Sequence, residues 1–221
     1  MHVQFLLIGE GSTESALIEH LANLCVAVGA TEASGAAPPF ERLDRPVGHD
    51  LVPRLRAAQV LNPQSNLYFV HRDADAADPE PRYAEIAQAL TASAVGVACV
   101  AVVPIYETEA WLLADVPAIR RVAGRPNGRT PLELPPLQRI EQTPQPKEVL
   151  TAALFAAAQP LSGRRAQRFR SEFAKQRRQL LEELTLDGAH TQLSAWQRLR
   201  DDTAAAIDAL RMQERAEGER E

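Results

Sequence analysis

The sequence predicts an α/β domain with a mostly parallel central sheet flanked by helices, followed by a helical C-terminal subdomain. Three observations carry this. Apolar runs of strand length (VQFLLI, NLYFVH, VGVACVAVV) alternate with stretches of helical periodicity through the first half. These runs are apolar at almost every position, as strands covered on both faces must be. From residue 147 onward only helical periodicity remains, in KEVLTAALFAAA, RRAQRFRSEFAKQRRQLLEEL and SAWQRLRDDTAAAIDALRM.

VQFLLI reads as a buried strand and leads into the glycine-rich turn GEGSTE. A helix is expected over 12–28, with Ser12 or Thr13 able to cap its N-terminus. TEASGAAPP reads as a loop and FERLD as a short strand. There follow a helix over 49–59, the strand NLYFVH, the turn RDADAADPEP, a helix over 82–91, and a valine-rich strand ending at Pro104. YETEAWLLAD begins a helix at Thr108 or Glu109. The 23 residues from Gly124 to Pro146 hold six prolines and little periodicity, too long a stretch for an ordinary connection, and read as a functional or mobile loop. The expected organisation is an α/β domain over 1–123, a Pro-rich loop over 124–146, a helical extension over 147–210 and a frayed polar tail over 211–221.

With 221 residues, 45% of them hydrophobic, the chain can fill a sizeable core. No apolar run reaches the roughly 18 residues of a membrane span, and MHVQFLLIGEG carries neither a basic leader nor a small-residue cleavage site. A cytoplasmic protein without a membrane partner is the expectation. Cys25 and Cys99 have no second ligand at metal spacing and read as small buried residues.

The net charge of −5 conceals segregation: residues 1–115 hold 6 Lys/Arg against 15 Asp/Glu, residues 116–180 hold 13 against 4, and residues 181–221 hold 5 against 10. An acidic total argues against indiscriminate coating of DNA. An acidic site beside a basic segment suits a metal-dependent enzyme acting on a polyanion.

Each of the three strand-like runs is followed directly by acids: Glu10 and Glu14, then Asp73 and Asp75, then Glu107 and Glu109. Carboxyl ends of parallel strands share one edge, where ligand sites form, so the three clusters are expected to converge. Two unit charges 4 Å apart repel by about 4 kcal/mol at an effective dielectric of 20, and a divalent cation relieves this better than proton uptake. Oxygen ligands without Cys or His point to Mg²⁺ or Mn²⁺, as one or two ions. GEGSTE begins like a GxGxxG turn but lacks the third glycine, and Glu10 would oppose a pyrophosphate; a dinucleotide site is disfavoured.

These residues resemble a Toprim domain, the catalytic module of type IA topoisomerases, bacterial-type primases and overcoming-lysogenization-defect (OLD) nucleases. Such domains carry a glutamate in a small turn after the first strand and a DxD pair after a later one, here GEGSTE and HRDADAAD. PIYETEAWLLAD and PQPKEVL are similar to a bacterial domain-of-unknown-function family of stand-alone Toprim-like proteins, often found beside ATPase genes in defence loci. The resemblance covers roughly residues 3–155 and implies a Toprim-like, Rossmannoid sheet. It implies Glu10 as a general acid/base or metal ligand, and Asp73 and Asp75 as metal ligands. Glu14 would serve a second metal, and Glu107 or Glu109 would be a further ligand. No GxxxxGK[ST] occurs, so any ATP coupling would come from a separate ATPase chain.

The function expected on this reading is a divalent-metal-dependent nuclease in anti-phage defence or DNA repair, with DNA ahead of RNA as substrate. A homo-oligomer is compatible with it. Glu10, Asp73 and Lys147 are the catalytic candidates. Lys147, just after Pro146, opposes the helix dipole, which is tolerable in solvent and useful beside a phosphate. Arg164, Arg165, Arg168, Arg170, Lys175, Arg177 and Arg178 form either a solvated helix face or a surface for a nucleic-acid backbone. Trp111 reads as packing beneath the site, with base stacking as the alternative. Two other functions stay open: a regulatory partner of an ATPase with a weak metal site, and a phosphoryl- or glycosyl-transfer enzyme using the DxD alone.

Overall fold

The structure, a computed structural model, describes residues 1–9, 13–40, 43 and 47–218, with the side chains of residues 13, 14 and 217 excepted. It is an α/β protein with a four-stranded, all-parallel sheet flanked by helices and with helices in its C-terminal part. The chain divides into two compact units. The first holds Met1–Arg72, Glu80–Val103 and Arg198–Glu221; the second holds Asp73–Pro79 and Pro104–Gln197.

The first unit contains the sheet, in the order β2-β1-β3-β4, formed by β1 (His2–Ile8), β2 (Glu32–Ala36), β3 (Leu67–His71) and β4 (Ala98–Val102). The inner strands explain the unbroken apolar runs: Phe5 to Ile8 of β1 and all five residues of β3 are buried. Phe5 meets the Phe69 ring edge-on, with centroids 5.1 Å apart. Helices α1 (Ile18–Ala27), α2 (Leu51–Leu61) and α3 (Glu80–Ser93) connect successive strands. Right-handed crossovers put α1 on one face and α2 with α3 on the other, and α2 and α3 pack on each other.

β2 lies within TEASGAAPP, which the sequence reads as a loop. Its composition is that of an edge strand, polar and only half-buried, so no apolar run marks it. The feature that fits it to the sheet is Gly35, paired with Phe5 and pressed against that ring so closely that a Cβ would collide with it. The expected strand FERLD is not a strand where it is described: the Leu43 N–H donates to the Phe40 carbonyl at 3.3 Å, while Glu41, Arg42 and Asp44 lie outside the described residues. The first helix opens with a 3-10 turn over Thr13–Leu17 and is α-helical only from Ile18, with Leu17 at its N-cap; Ser12 and the Thr13 side chain, the expected caps, lie outside the described residues.

The second unit holds α4 (Glu109–Leu112), α5 (Val116–Val122), α6 (Pro146–Ala157), α7 (Gly163–Ser171) and α8 (Phe173–Glu182). α6 packs against α4, α5 and α7, and α8 against α4, α5 and α7. Trp111 on α4 is 1% exposed and meets Trp196 edge-on at 4.9 Å; it is a packing residue. Asp115 caps α5, accepting from the Ala118 N–H at 2.8 Å. The Pro-rich stretch 124–146 contains a 3-10 helix, Leu137–Gln142, anchored by buried Ile140. The basic segment read as one helix breaks at Glu172 into α7 and α8.

α9 (Ser194–Gly218) returns the chain to the first unit from residue 198 onward. There Arg198 pairs with Glu80 at 2.6 Å and lies over the Tyr83 ring, and Arg211 donates to the Gly29 carbonyl. The tail expected to fray from residue 211 is helical to Gly218, and residues 219–221 lie outside the described residues. Cys25 is fully buried, whereas Cys99 on β4 is partly exposed; burial pushes both thiols up to about 12.

Candidate acidic site

The turn after β3 and the turn after β4 are laced together within the second unit. Ala74 N–H donates to the Pro104 carbonyl at 3.0 Å, Asp75 N–H to the Tyr106 carbonyl at 2.8 Å, and Tyr106 N–H to the Ala76 carbonyl at 3.1 Å. Asp73 closes the lacing: its Oδ1 accepts from the backbone N–H of Thr108 at 2.9 Å and from the Thr108 hydroxyl at 3.0 Å. Thr108 is fully buried, so these bonds fix the orientation of the Asp73 carboxylate. β3 and β4 are neighbouring parallel strands, which is why their following turns lie side by side.

This lacing brings Asp73, Asp75, Glu107 and Glu109 into one region, as expected for two of the three acidic clusters. For the third, Glu10 lies outside the described residues, as does the side chain of Glu14. Its immediate neighbour, the Gly9 carbonyl at the end of β1, accepts from Arg54 Nη1. Arg54, 8% exposed, also donates to the Gly48 carbonyl at 2.7 Å, and burial pulls its pKa down. Arg72 is 6% exposed, donates to the His49 carbonyl at 2.6 Å and pairs with Glu85 at 3.5 Å. Neither Arg54 nor Arg72 stands out in the sequence. A buried guanidinium at a strand end is visible only once the fold is known.

The two glutamates of the ETE turn take different roles. Glu109 is 3% exposed and pairs with Arg177 on α8 at 2.8 Å. Burial holds its carboxyl above the usual range, with Asp73 and Glu107 adding to the rise and Arg177 opposing it. Glu107 is half-buried, and its Oε2 accepts from the Lys147 backbone N–H at 3.2 Å. A carboxylate thus meets the N-terminus of α6, where the helix dipole favours negative charge. Lys147 is the second residue of that helix, after Pro146, and its side chain is exposed.

Asp75, Tyr106, Glu107, Gln145, Lys147 and Glu148 line a cleft of about 500 Å³. Asp75 (φ 56°), Tyr106 (φ 59°) and Gln145 (φ 54°) are three of the four described non-glycine residues with left-handed backbone. Each such conformation costs on the order of 1–3 kcal/mol, and such residues concentrate where geometry serves function. Asp75 and Tyr106 belong to the laced turns, and Gln145 sets the entry into α6.

The seven basic candidates separate in the same way. Arg177 is only 11% exposed and neutralises Glu109, so it belongs to the interior. Arg168 pairs with Glu172 at 3.0 Å, Arg178 with Glu182 at 2.8 Å, and Arg170 stacks over the Phe155 ring at 4.1 Å. Arg164, Arg165 and Lys175 are exposed and form no ion pair among the described residues.

Asp73, Asp75 and Glu107 offer hard oxygens. Among the described residues, no group of three or more His, Cys, Asp or Glu could hold a metal ion. The donors fit Mg²⁺ or Mn²⁺ in kind, since Mg²⁺ commonly takes one or two carboxylates and completes its shell with water and phosphate oxygens. Glu109, expected as an alternative ligand, is committed to Arg177. The chain matches no protein-family model, no curated protein and no solved structure.

Proposed function

We propose that this protein is a divalent-metal-dependent phosphodiesterase of the Toprim kind, a nuclease acting on DNA in preference to RNA. The observation that carries the reading is the lacing of the DxD turn to the ETE turn, in which Asp73 is bonded to Thr108 while Asp75 and Glu107 border a cleft with Lys147. The first turn carries the DxD pair of the Toprim resemblance, and the second belongs to the PIYETEAWLLAD segment similar to the stand-alone Toprim-like proteins.

On this reading one or two of Asp73, Asp75 and Glu107 would hold Mg²⁺ or Mn²⁺, with water and phosphate oxygens completing the shell, and the family pattern would make Glu10 the proton-transfer group. When bound, such an ion supplies Lewis acidity at a phosphoryl oxygen and lowers the pKa of water. Thr108 keeps the Asp73 carboxylate from rotating. Lys147 attracts a phosphate to the cleft, and its backbone N–H holds Glu107 at the rim. Arg177 offsets the charge of Glu109 beneath the site without reaching substrate. Arg164, Arg165 and Lys175 supply sequence-independent attraction to a nucleic-acid backbone. Cytoplasmic action and a separate ATPase partner belong to the same proposal. No described helix is long and apolar enough to cross a membrane.

Incubating the protein with labelled single- and double-stranded DNA and RNA in Mg²⁺, Mn²⁺ or EDTA tests the reading. Cleavage that needs the metal and is lost in Asp73→Ala and Glu107→Gln supports it. Metal-independent products, or none with any substrate, defeat it. Calorimetric Mn²⁺ titration of wild type and Asp73→Ala separates a silent but metal-binding site from a regulatory subunit that binds no metal.

A further inference from the structure

Within the first unit, β4 is an edge strand with one side unpaired. The Val102 carbonyl accepts from the Arg72 N–H, so by strand alternation Val100 and Val102 turn their peptide groups toward β3. Those of Cys99 and Ala101 turn the other way. On that side the sheet has no further strand. An open apolar edge of this kind is a template for another strand unless something covers it.

The edge runs along a groove of about 630 Å³. Residues 98–101, whose side chains alternate between the two faces of the sheet, all border it, so the groove follows the edge itself. The walls are small: Ala84 and Ala87 come from α3, and Ala205 and Ala206 from α9. Arg198 bridges the two helices at one end, stacked over Tyr83 at 3.4 Å and paired with Glu80 at 2.6 Å. Asp202 stands 3.9 Å from the same guanidinium and lines the groove, so a carboxylate borders it at this end.

The geometry points to strand addition: the groove takes an extended segment of a partner protein, hydrogen-bonded to the Cys99 and Ala101 peptide groups. Small apolar side chains of that segment lie against the alanines, and a basic residue meets Asp202. Helical walls favour a single extended segment over a second copy of this chain, whose own β4 edge lies between the same two walls. Main-chain hydrogen bonds supply affinity in this mode, and alternate side chains supply selectivity.

The probe is a pair of fluorescein-labelled peptides of alternating valine and alanine, one with lysine at the N-terminus and one at the C-terminus. Anisotropy titration is run alongside amide hydrogen exchange. One of the peptides is expected to bind saturably and to slow exchange at Cys99 and Ala101. Methylating alternate peptide nitrogens of the probe, or narrowing the groove with Ala84→Phe, should weaken binding by about tenfold or more. Ala84 is exposed, so that variant keeps its fold; Ala205→Phe is a second, independent block. Failure of both peptides to bind overturns the proposal, as does binding that ignores both blocks. Protection of the Cys99 and Ala101 amides that rises with protein concentration alone would assign the groove to a second copy and overturn it equally.

Discussion

Arg177→Met is the most informative perturbation of the acidic site. Arg177 and Glu109 are 11% and 4% exposed with 2.8 Å between charged atoms. At that separation and an effective dielectric of 20, the gross attraction is about 6 kcal/mol. Part of it is offset in wild type by the desolvation of both groups. Removing one partner leaves a charged carboxylate buried beside Asp73 and Glu107, and the expected loss of stability is about 3–5 kcal/mol at pH 7.5. Both tryptophans of the chain, Trp111 and Trp196, lie in the second unit, so their fluorescence in urea titration reports the unfolding of that unit. The pH dependence has a definite sign. Without Arg177 the folded-state pKa of Glu109, already raised by burial, rises further above its unfolded value of about 4.5. The folded variant then binds the proton more tightly than the unfolded chain, so its stability recovers as pH falls and is lost as pH rises through the folded pKa. Adding Glu109→Gln should restore more than half of the loss at pH 7.5. A loss under about 1 kcal/mol, the level of an exposed pair, would refute the argument. So would a loss unchanged between pH 7.5 and pH 5.

Thr108→Val removes the hydroxyl donor to Asp73 while keeping the backbone one; it should cost about 1–2 kcal/mol and lower metal-dependent cleavage, with Thr108→Ser restoring both in unfolding and cleavage assays. Gly35→Ala drives a Cβ into the Phe5 ring and should destabilise the sheet by about 1–3 kcal/mol, read by far-UV circular dichroism in denaturant. Arg164→Glu with Arg165→Glu should weaken DNA binding and flatten its salt dependence by about two units of slope, leaving thermal melting unchanged. Lys147→Ala, at an exposed side chain, should reduce cleavage without shifting the melting temperature.

The parallel sheet was legible because its inner strands are buried on both faces, and burial on both faces leaves an unbroken apolar run. The same logic made the juxtaposition of Asp73 and Asp75 with Glu107 and Glu109 readable, since β3 and β4 are parallel neighbours. β2 escaped because an edge strand needs few apolar side chains, and the close approach of Gly35 to Phe5 leaves only an isolated glycine in the sequence. The division of labour between Glu107 and Glu109 was not readable either. It depends on Arg177, a residue far along the chain whose local pattern is that of a solvated basic helix. Asp75 is a residue type that tolerates the left-handed region, whereas nothing about Tyr106 or Gln145 announces it.

The order in which the chain is made has a bearing on α9. The sheet unit is discontinuous: its strands are synthesised by residue 103, yet Arg198 and Arg211, which hold Glu80 and the Gly29 carbonyl, emerge only after the whole of 104–197. The nascent sheet must therefore wait, with the α9 wall of its β4 groove missing, while the second unit is translated. In that interval the apolar strand ACVAV has only the α3 side of its groove, and a chain halted before residue 198 would lack the α9 wall for good.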